Sequence, residues 1–470
     1  MTMKSPTTEI KWYALIKGTV VAFLITVAYF SFLQVWMGDQ FRRLVYETAL
    51  LVWPRSAASP PYVFLTLLTF FIILYLWKKD YLRKVDDRSF LLVSLGLFFC
   101  FDIFLASTNN GFIYAISHPF LSTPYEYYAD LTKINGLRNF IRDYTNLMPN
   151  LSHHANTHPP GGDVFLYIVE RTFGKGVLRA SLISIFVTNL SLIPFYLTAK
   201  LFLDRSLARL AVMLWILTPN IAIYSATCMD GVFMFFLLWP FYLFFKFLIQ
   251  NKNMVLLAVA NGIALSIAMF MTFSATFHGL FFIILTGTLL YKKQQNWKRV
   301  LSFVIISGFT FCVIYVLGFY LLGYDIFDCL SRARDKDMMS YGSPLREWRI
   351  YLLSRSSNFV GFFFFSGFAT SWLWFKYLFK KEGAKGNSNK MLRYCIYAFI
   401  ITLLEMNLGG LYFFETGRVW MFLALFMILP VIELLNYFSK ISSQNHFDIQ
   451  LLSLTFIQTF IFEIIYYTTW

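Results

Sequence analysis

Two carboxylates, Glu126 and Asp130, stand four residues apart in the stretch STPYEYYADL. On an α-helix that spacing puts both on one face, and Pro124 suits the first turn of such a helix. Acids placed together in this way are candidates for a general base, and Tyr127 and Tyr128 suit a water–lipid boundary. Further along comes HHANTHPPGGD (153–163). Pro159 and Pro160 bar a continuous helix and favour an extended turn. Gly161 and Gly162 let the backbone pass close to another element. A helical pattern resumes at Asp163 with DVFLYIVERTFG (163–174). The stretch reads as a rigid corner feeding a helix N-terminus, where free N–H groups attract anions. His158 is the histidine expected to face a substrate there. Adjacent histidines chelate poorly and no HExxH occurs, so no metal site is assigned.

Three later segments add charge. Asp230 lies in CMDGVFMFF (228–236), at a corner between apolar runs. Arg332, Arg334, Lys336, Arg346 and Arg349 crowd the stretch 323–356. Glu415 and Arg418 lie in FFETGRVW. Arginine forks grip phosphate through two bonds. Each also has a plainer reading. Asp230 serves as a helix cap, Glu415 and Arg418 pair with each other, and residues 332–336 form a solvated or headgroup-facing surface.

These residues must be positioned by a membrane-embedded chain. Of 470 residues 58% are hydrophobic and 14% charged, well below the roughly 25% charge of a soluble domain. About thirteen apolar runs are long enough to be spans: 12–34, 62–77, 89–106, 178–199, 207–225, 231–249, 254–272, 276–291, 300–322, 357–377, 392–409, 419–438 and 450–469. The expected fold is an all-α polytopic membrane protein. The short basic loops 78–88, 291–299 and 380–390 fall on one side under alternating topology and are expected to be cytoplasmic. Two long loops, about 107–177 and 323–356, then face outside, and the piece 125–144 is amphipathic enough to lie on the membrane surface. The formal net charge of +15 resides mainly in loops, which favours anionic lipid or a phosphate-bearing substrate over nucleic acid. Cys100, Cys228, Cys312, Cys329 and Cys395 are scattered without a CxxC pair and read as apolar packing residues. No cleavable leader is evident.

The order of these motifs resembles the GT-C superfamily of integral membrane glycosyltransferases, nearest to the protein O-mannosyltransferase and lipid A aminoarabinose transferase branch. Glu126–Tyr128–Asp130 stands where that branch carries an acidic, Tyr-rich motif in its first outside loop. His158–Pro159–Pro160–Gly161 stands where it carries an HPPLGK or KPPL turn. GKGVLRASLIS (174–184), CMDGVFMFF and the Glu415-x-x-Arg418-x-Trp420 corner follow in the family's order. The family's adjacent Asp-Glu pair is missing, which leaves open whether Glu126 or Asp130 is the base. The resemblance implies a core over 89–438, preceded by two spans in 1–88 and followed by one in 439–470. It implies Glu126 and Asp130 as catalytic residues. The residues expected at the substrate are Tyr128, His158, Pro159, Pro160, Asp163, Asp230, Glu415 and Arg418, and Arg332, Arg334, Lys336 and Arg346, with Arg418, are expected because a departing phosphate needs fixed positive charge.

The expected chemistry follows. Outside the cytoplasm a sugar arrives on a lipid phosphate. Breaking its C1–O bond releases a phosphate monoester, a good leaving group, while the acceptor hydroxyl needs a base. A single in-line displacement inverts the anomeric centre, and fixed cations stabilise the departing phosphate. The expected partners are a polyprenyl-phosphate-linked sugar, an acceptor lipid, protein or glycan, and membrane lipids. No cofactor is required, and a divalent cation is left open. A bacterial inner membrane is favoured over an endoplasmic reticulum membrane. The alternatives are a transporter or flippase, which predicts charge near mid-membrane, and a non-catalytic scaffold, which predicts no convergence of acids and arginines.

Overall fold

The computed structural model describes residues 12–37, 58–121, 125–250, 253–341, 348–379, 390–410, 412, 415–441 and 447–465. Among them there is no strand, only an isolated bridge between Ala58 and Asn109. The chain is an all-α polytopic membrane protein.

Ten helices among the described residues are long and apolar enough to cross a membrane: Ala14–Leu33, Pro60–Lys78, Asp87–Ser107, Val177–Phe202, Asp230–Ile249, Met254–Met271, Phe273–Tyr291, Trp297–Leu322, Lys390–Leu408 and Phe447–Ile465. The other three expected spans fold as shorter pieces. Residues 207–225 break into Arg205–Leu217 and Pro219–Tyr224. Thr218 is extended there, as a residue before proline prefers. Residues 357–377 break at Gly367, whose φ is +96°. Gln458 from the last span repairs this break. Its Oε1 accepts from Phe368 N at 2.6 Å and its Nε2 donates to Phe364 O at 2.9 Å. Backbone freed inside a bundle needs such partners. The third stretch begins as Thr416–Val419 and a 3-10 turn, Met421–Leu423, before Ala424–Ile441. All three carry long runs of buried residues, so their apolar character fills the bundle core and gives no sign of the breaks.

Phenylalanine dominates that core. Phe244 stacks on Phe282 at 3.9 Å, Phe247 on Phe303 at 3.9 Å and Phe70 on Phe456 at 3.7 Å. The first span reaches the later half of the chain, where Tyr29 Oη lies 2.7 Å from Ser356 Oγ.

Two of the basic loops, 78–88 and 291–299, gather at one end. Arg209, fully buried, donates to Leu82 O, Arg83 O, Val85 O and Asp87 Oδ1 at 2.7–3.0 Å. Lys200 and Arg205 reach the same Asp87 at 2.6 and 2.8 Å. Ring contact between Phe202 and Phe245 ties this end to the loop 291–299, where Gln295 donates to Leu248 O at 2.9 Å. Residues 380–389, the third basic loop, lie outside the described residues. The helix Asp230–Ile249 runs from the far end to this one, about 30 Å at 1.5 Å per residue.

Candidate functional site

The far end is capped by the segment 107–177, folded as short helices: Phe112–Leu121, a 3-10 helix Tyr127–Lys133, Leu137–Leu147, His153–Thr157 and Gly161–Phe173. The 3-10 geometry overturns the expectation that Glu126 and Asp130 share a face. A 3-10 helix turns about 120° per residue, so residues four apart diverge, and Glu126 is itself the flanking N-terminal residue with extended backbone. Pro124 lies outside the described residues.

The two acids accordingly have different surroundings. Asp130 is fully buried. Its Oδ2 accepts from Ser152 N at 2.8 Å and its Oδ1 faces Lys133 Nζ at 2.8 Å. It ties the 3-10 helix to the start of the histidine segment. Glu126, also buried, has Oε1 3.3 Å from His154 Nε2. Asp130→Ala leaves the Ser152 N–H without its charged acceptor and is expected to lower stability by about 2 kcal/mol. Unfolding of the detergent-solubilised variant, followed against temperature, checks this.

The corner takes the expected form. His153–Thr157 is a short helix, His158–Pro160 the turn, and Gly161–Phe173 the following helix. A methyl carbon at Gly161 would sit 2.3 Å from Phe270 O and 2.6 Å from Met271 Cα. At Gly162 it would sit 2.8 Å from the Tyr127 ring. Both glycines are seats for close approach. The helix N-terminus is not open to an anion, because Pro159, Pro160, Gly161, Gly162 and Asp163 are all buried. Neither carboxyl oxygen of Asp163 has a hydrogen-bond partner. Burial first, then the neighbouring Asp130, raise its pKa well above the usual carboxylate range, with Lys133 opposing.

Tyr127, not Tyr128, meets the histidines. Its ring stacks on His154 at 6.1 Å and stands edge-on to His158 and Phe233 at 6.3 and 6.1 Å. Tyr128 turns away and donates to Glu170 Oε1 at 2.6 Å. His158 stacks on Phe233 at 6.0 Å, three residues beyond Asp230. Asp230 opens its helix, and its Oδ2 lies 3.0 Å from Arg418 Nε. That N–H is not aligned for a hydrogen bond. Arg418 also holds Glu415 Oε2 at 2.5 Å. One buried guanidinium thus joins two acids from distant parts of the chain. Burial works against the Arg418 charge, but Glu415, Asp230 and Glu126 raise its pKa well above the usual value.

The surroundings push the pKa values of the histidines in opposite directions. Burial disfavours protonation of His154, but the Glu126 carboxylate outweighs it and lifts the pKa. Burial, reinforced by His154, pushes His158 down to about 4. Burial also lowers His153. Neither His154 nor Tyr127 was among the residues expected at the site. The faint sequence signal for His154 is its four-residue spacing from His158.

The basic loop contributes less than expected. Arg332 is engaged by Asp328 at 3.0 Å on an exposed face, and Arg334 is exposed. Lys336 is half-buried and its charge is felt at His153. Arg346 lies outside the described residues, and Arg349 is exposed beside Trp348. Among the described residues no three His, Cys, Asp or Glu side chains are grouped to hold a metal ion.

Residues 157–322 match the family model described as dolichyl-phosphate-mannose-protein mannosyltransferase. This stretch is thus similar to that family of mannosyltransferases. It spans less than half of the 470 residues. No curated protein and no solved structure matches the chain. The matched segment contains His158, the double proline and Asp230. The fold brings to it Glu126 and His154 from before and Glu415 and Arg418 from after.

Proposed function

We propose that this chain is a glycosyltransferase that moves a sugar from a polyprenyl-phosphate donor to an acceptor hydroxyl on lipid, protein or glycan. The reaction is a single in-line, inverting displacement, and Glu126 takes the hydroxyl proton. The observation that carries this reading is the convergence of Glu126, His158, Asp230 and Arg418, from four separate segments, in one cluster. Asp130 is committed to the backbone and Lys133, which favours Glu126 as the base. Arg418 and Lys336 are the cations proposed to face the phosphate. An apolar groove of about 420 Å³, lined in part by Ile141, Phe270, Tyr315, Leu321 and Tyr324, opens beside the Gly161 corner and suits a prenyl chain. The cluster sits at the end of the bundle opposite the basic loops 78–88 and 291–299, which favours an active site on the outer face of a bacterial plasma membrane.

The test is direct. The protein in lipid vesicles is given a radiolabelled polyprenyl-phosphate sugar together with a membrane or glycan extract as acceptor, and separately the matching nucleotide sugar. The expected result is label transfer with release of polyprenyl phosphate from the first donor alone. Transfer from the nucleotide sugar, or no transfer from any lipid-linked sugar, would overturn the proposal. The same assay with and without a chelator reports whether a divalent ion takes part.

A further inference from the structure

Resting on that reading, we propose that His154 supplies a proton-dependent counter-charge that admits the anionic donor. Its imidazolium, held against Glu126, offsets an excess of carboxylates around the site, and donor binding weakens when that proton leaves.

The charges facing the cluster can be counted element by element. The residue before the 3-10 helix gives Glu126. The first turn of the Asp230–Ile249 helix gives Asp230, and the corner before the late helix gives Glu415 and Arg418. The helix Ile326–Tyr341 gives Lys336, whose effect falls on His153 at the rim. The histidine segment gives His153, His154 and His158, and Tyr127 lies over two of these rings. Three carboxylates thus surround one guanidinium, and Arg418 is already joined to two of them. Glu126 is left to His154. A phosphodiester brings another negative charge into this buried region, where screening is weak.

Of the three histidines, only His154 is placed to balance it. His158 turns Nδ1 to His154 O at 3.0 Å and Thr157 Oγ1 at 3.1 Å, and its pKa of about 4 leaves it neutral near pH 7. His154 is fixed from both sides. Its backbone N–H donates to Tyr125 O at 3.1 Å, and its backbone carbonyl accepts from the His158 ring. Opposing burial, Glu126 raises the His154 pKa. The charge is therefore present at and below the ordinary imidazole range and is lost as pH rises through the lifted value.

The experiment measures initial transfer rates against donor concentration between about pH 5 and 9, the range in which imidazoles titrate. The donor is a phosphodiester, whose single charge does not change in that window. For the wild type, donor KM is expected to rise about tenfold or more with pH, with kcat nearly constant. His154→Gln keeps an N–H for Glu126 but no charge. Its KM is expected to be high at every pH and flat, with kcat within a few-fold of wild type. A wild-type KM profile in His154→Gln, or a purely kcat effect, overturns the inference while leaving the glycosyl-transfer reading intact. Absence of transfer by the wild type from any lipid-linked sugar overturns both. Should His154→Gln fail to accumulate, the wild-type profile alone decides: a KM independent of pH rejects the counter-charge.

Discussion

Glu126→Gln is expected to lower sugar transfer by about 10²- to 10⁴-fold, the contribution usual for a general base. The substitution keeps the size of the side chain and an oxygen for His154 Nε2, which lies 3.3 Å away. The stacking of Tyr127 on His154 is untouched. Protein level and thermal unfolding should therefore match the wild type, and the loss should lie in kcat. The measurement is product per molecule of folded protein in vesicles at saturating donor. Full activity in Glu126→Gln would move the role of base elsewhere, with Asp230 the next acid to replace.

Arg418→Met is expected to cost both activity and stability. Arg418 is almost completely buried and is shared by Asp230 and Glu415. Removing it leaves two partly buried carboxylates without their cation. Breaking a buried pair from one side costs about 3–5 kcal/mol, because the remaining charge is uncompensated. The double variant Arg418→Met/Asp230→Asn removes one of those charges and should recover part of the loss. It should not recover transfer, since the proposed phosphate contact is gone. Unfolding and transfer measured on both variants separate the two effects. Equal instability in the single and double variants would place the penalty in lost packing rather than in exposed charge.

Much of this architecture could be read from the residues in order. Ten of thirteen apolar runs became stretches long enough to span, one of them, Val177–Phe202, as two helices that meet at Leu190 and Ser191, because length and composition alone set the requirement. The corner was legible because Pro159, Pro160, Gly161 and Gly162 act on their own backbone, whatever surrounds them. The Asp230–Arg418 link was anticipated only as convergence, since no local rule ties residues so far apart. What misled was the Glu126–Asp130 segment. The choice between α and 3-10 geometry there depends on tertiary anchors, Asp130 to Ser152 N and Tyr127 against Gly162, which a local pattern does not contain. The same slip exchanged Tyr127 for Tyr128. The Arg209 knot was also invisible. Its four acceptors are backbone carbonyls and one acid from a loop more than a hundred residues earlier.

The two glycines at the corner have a mechanical consequence. Hydrogen atoms are the whole clearance between Gly161 and the end of the Met254–Met271 span, and between Gly162 and the Tyr127 ring. Span, corner and ring interlock like stacked blocks with no washer between them. The histidine that faces Glu126 therefore inherits its steadiness from a lipid-embedded rod, and the single helical turn that carries it needs little stiffness of its own.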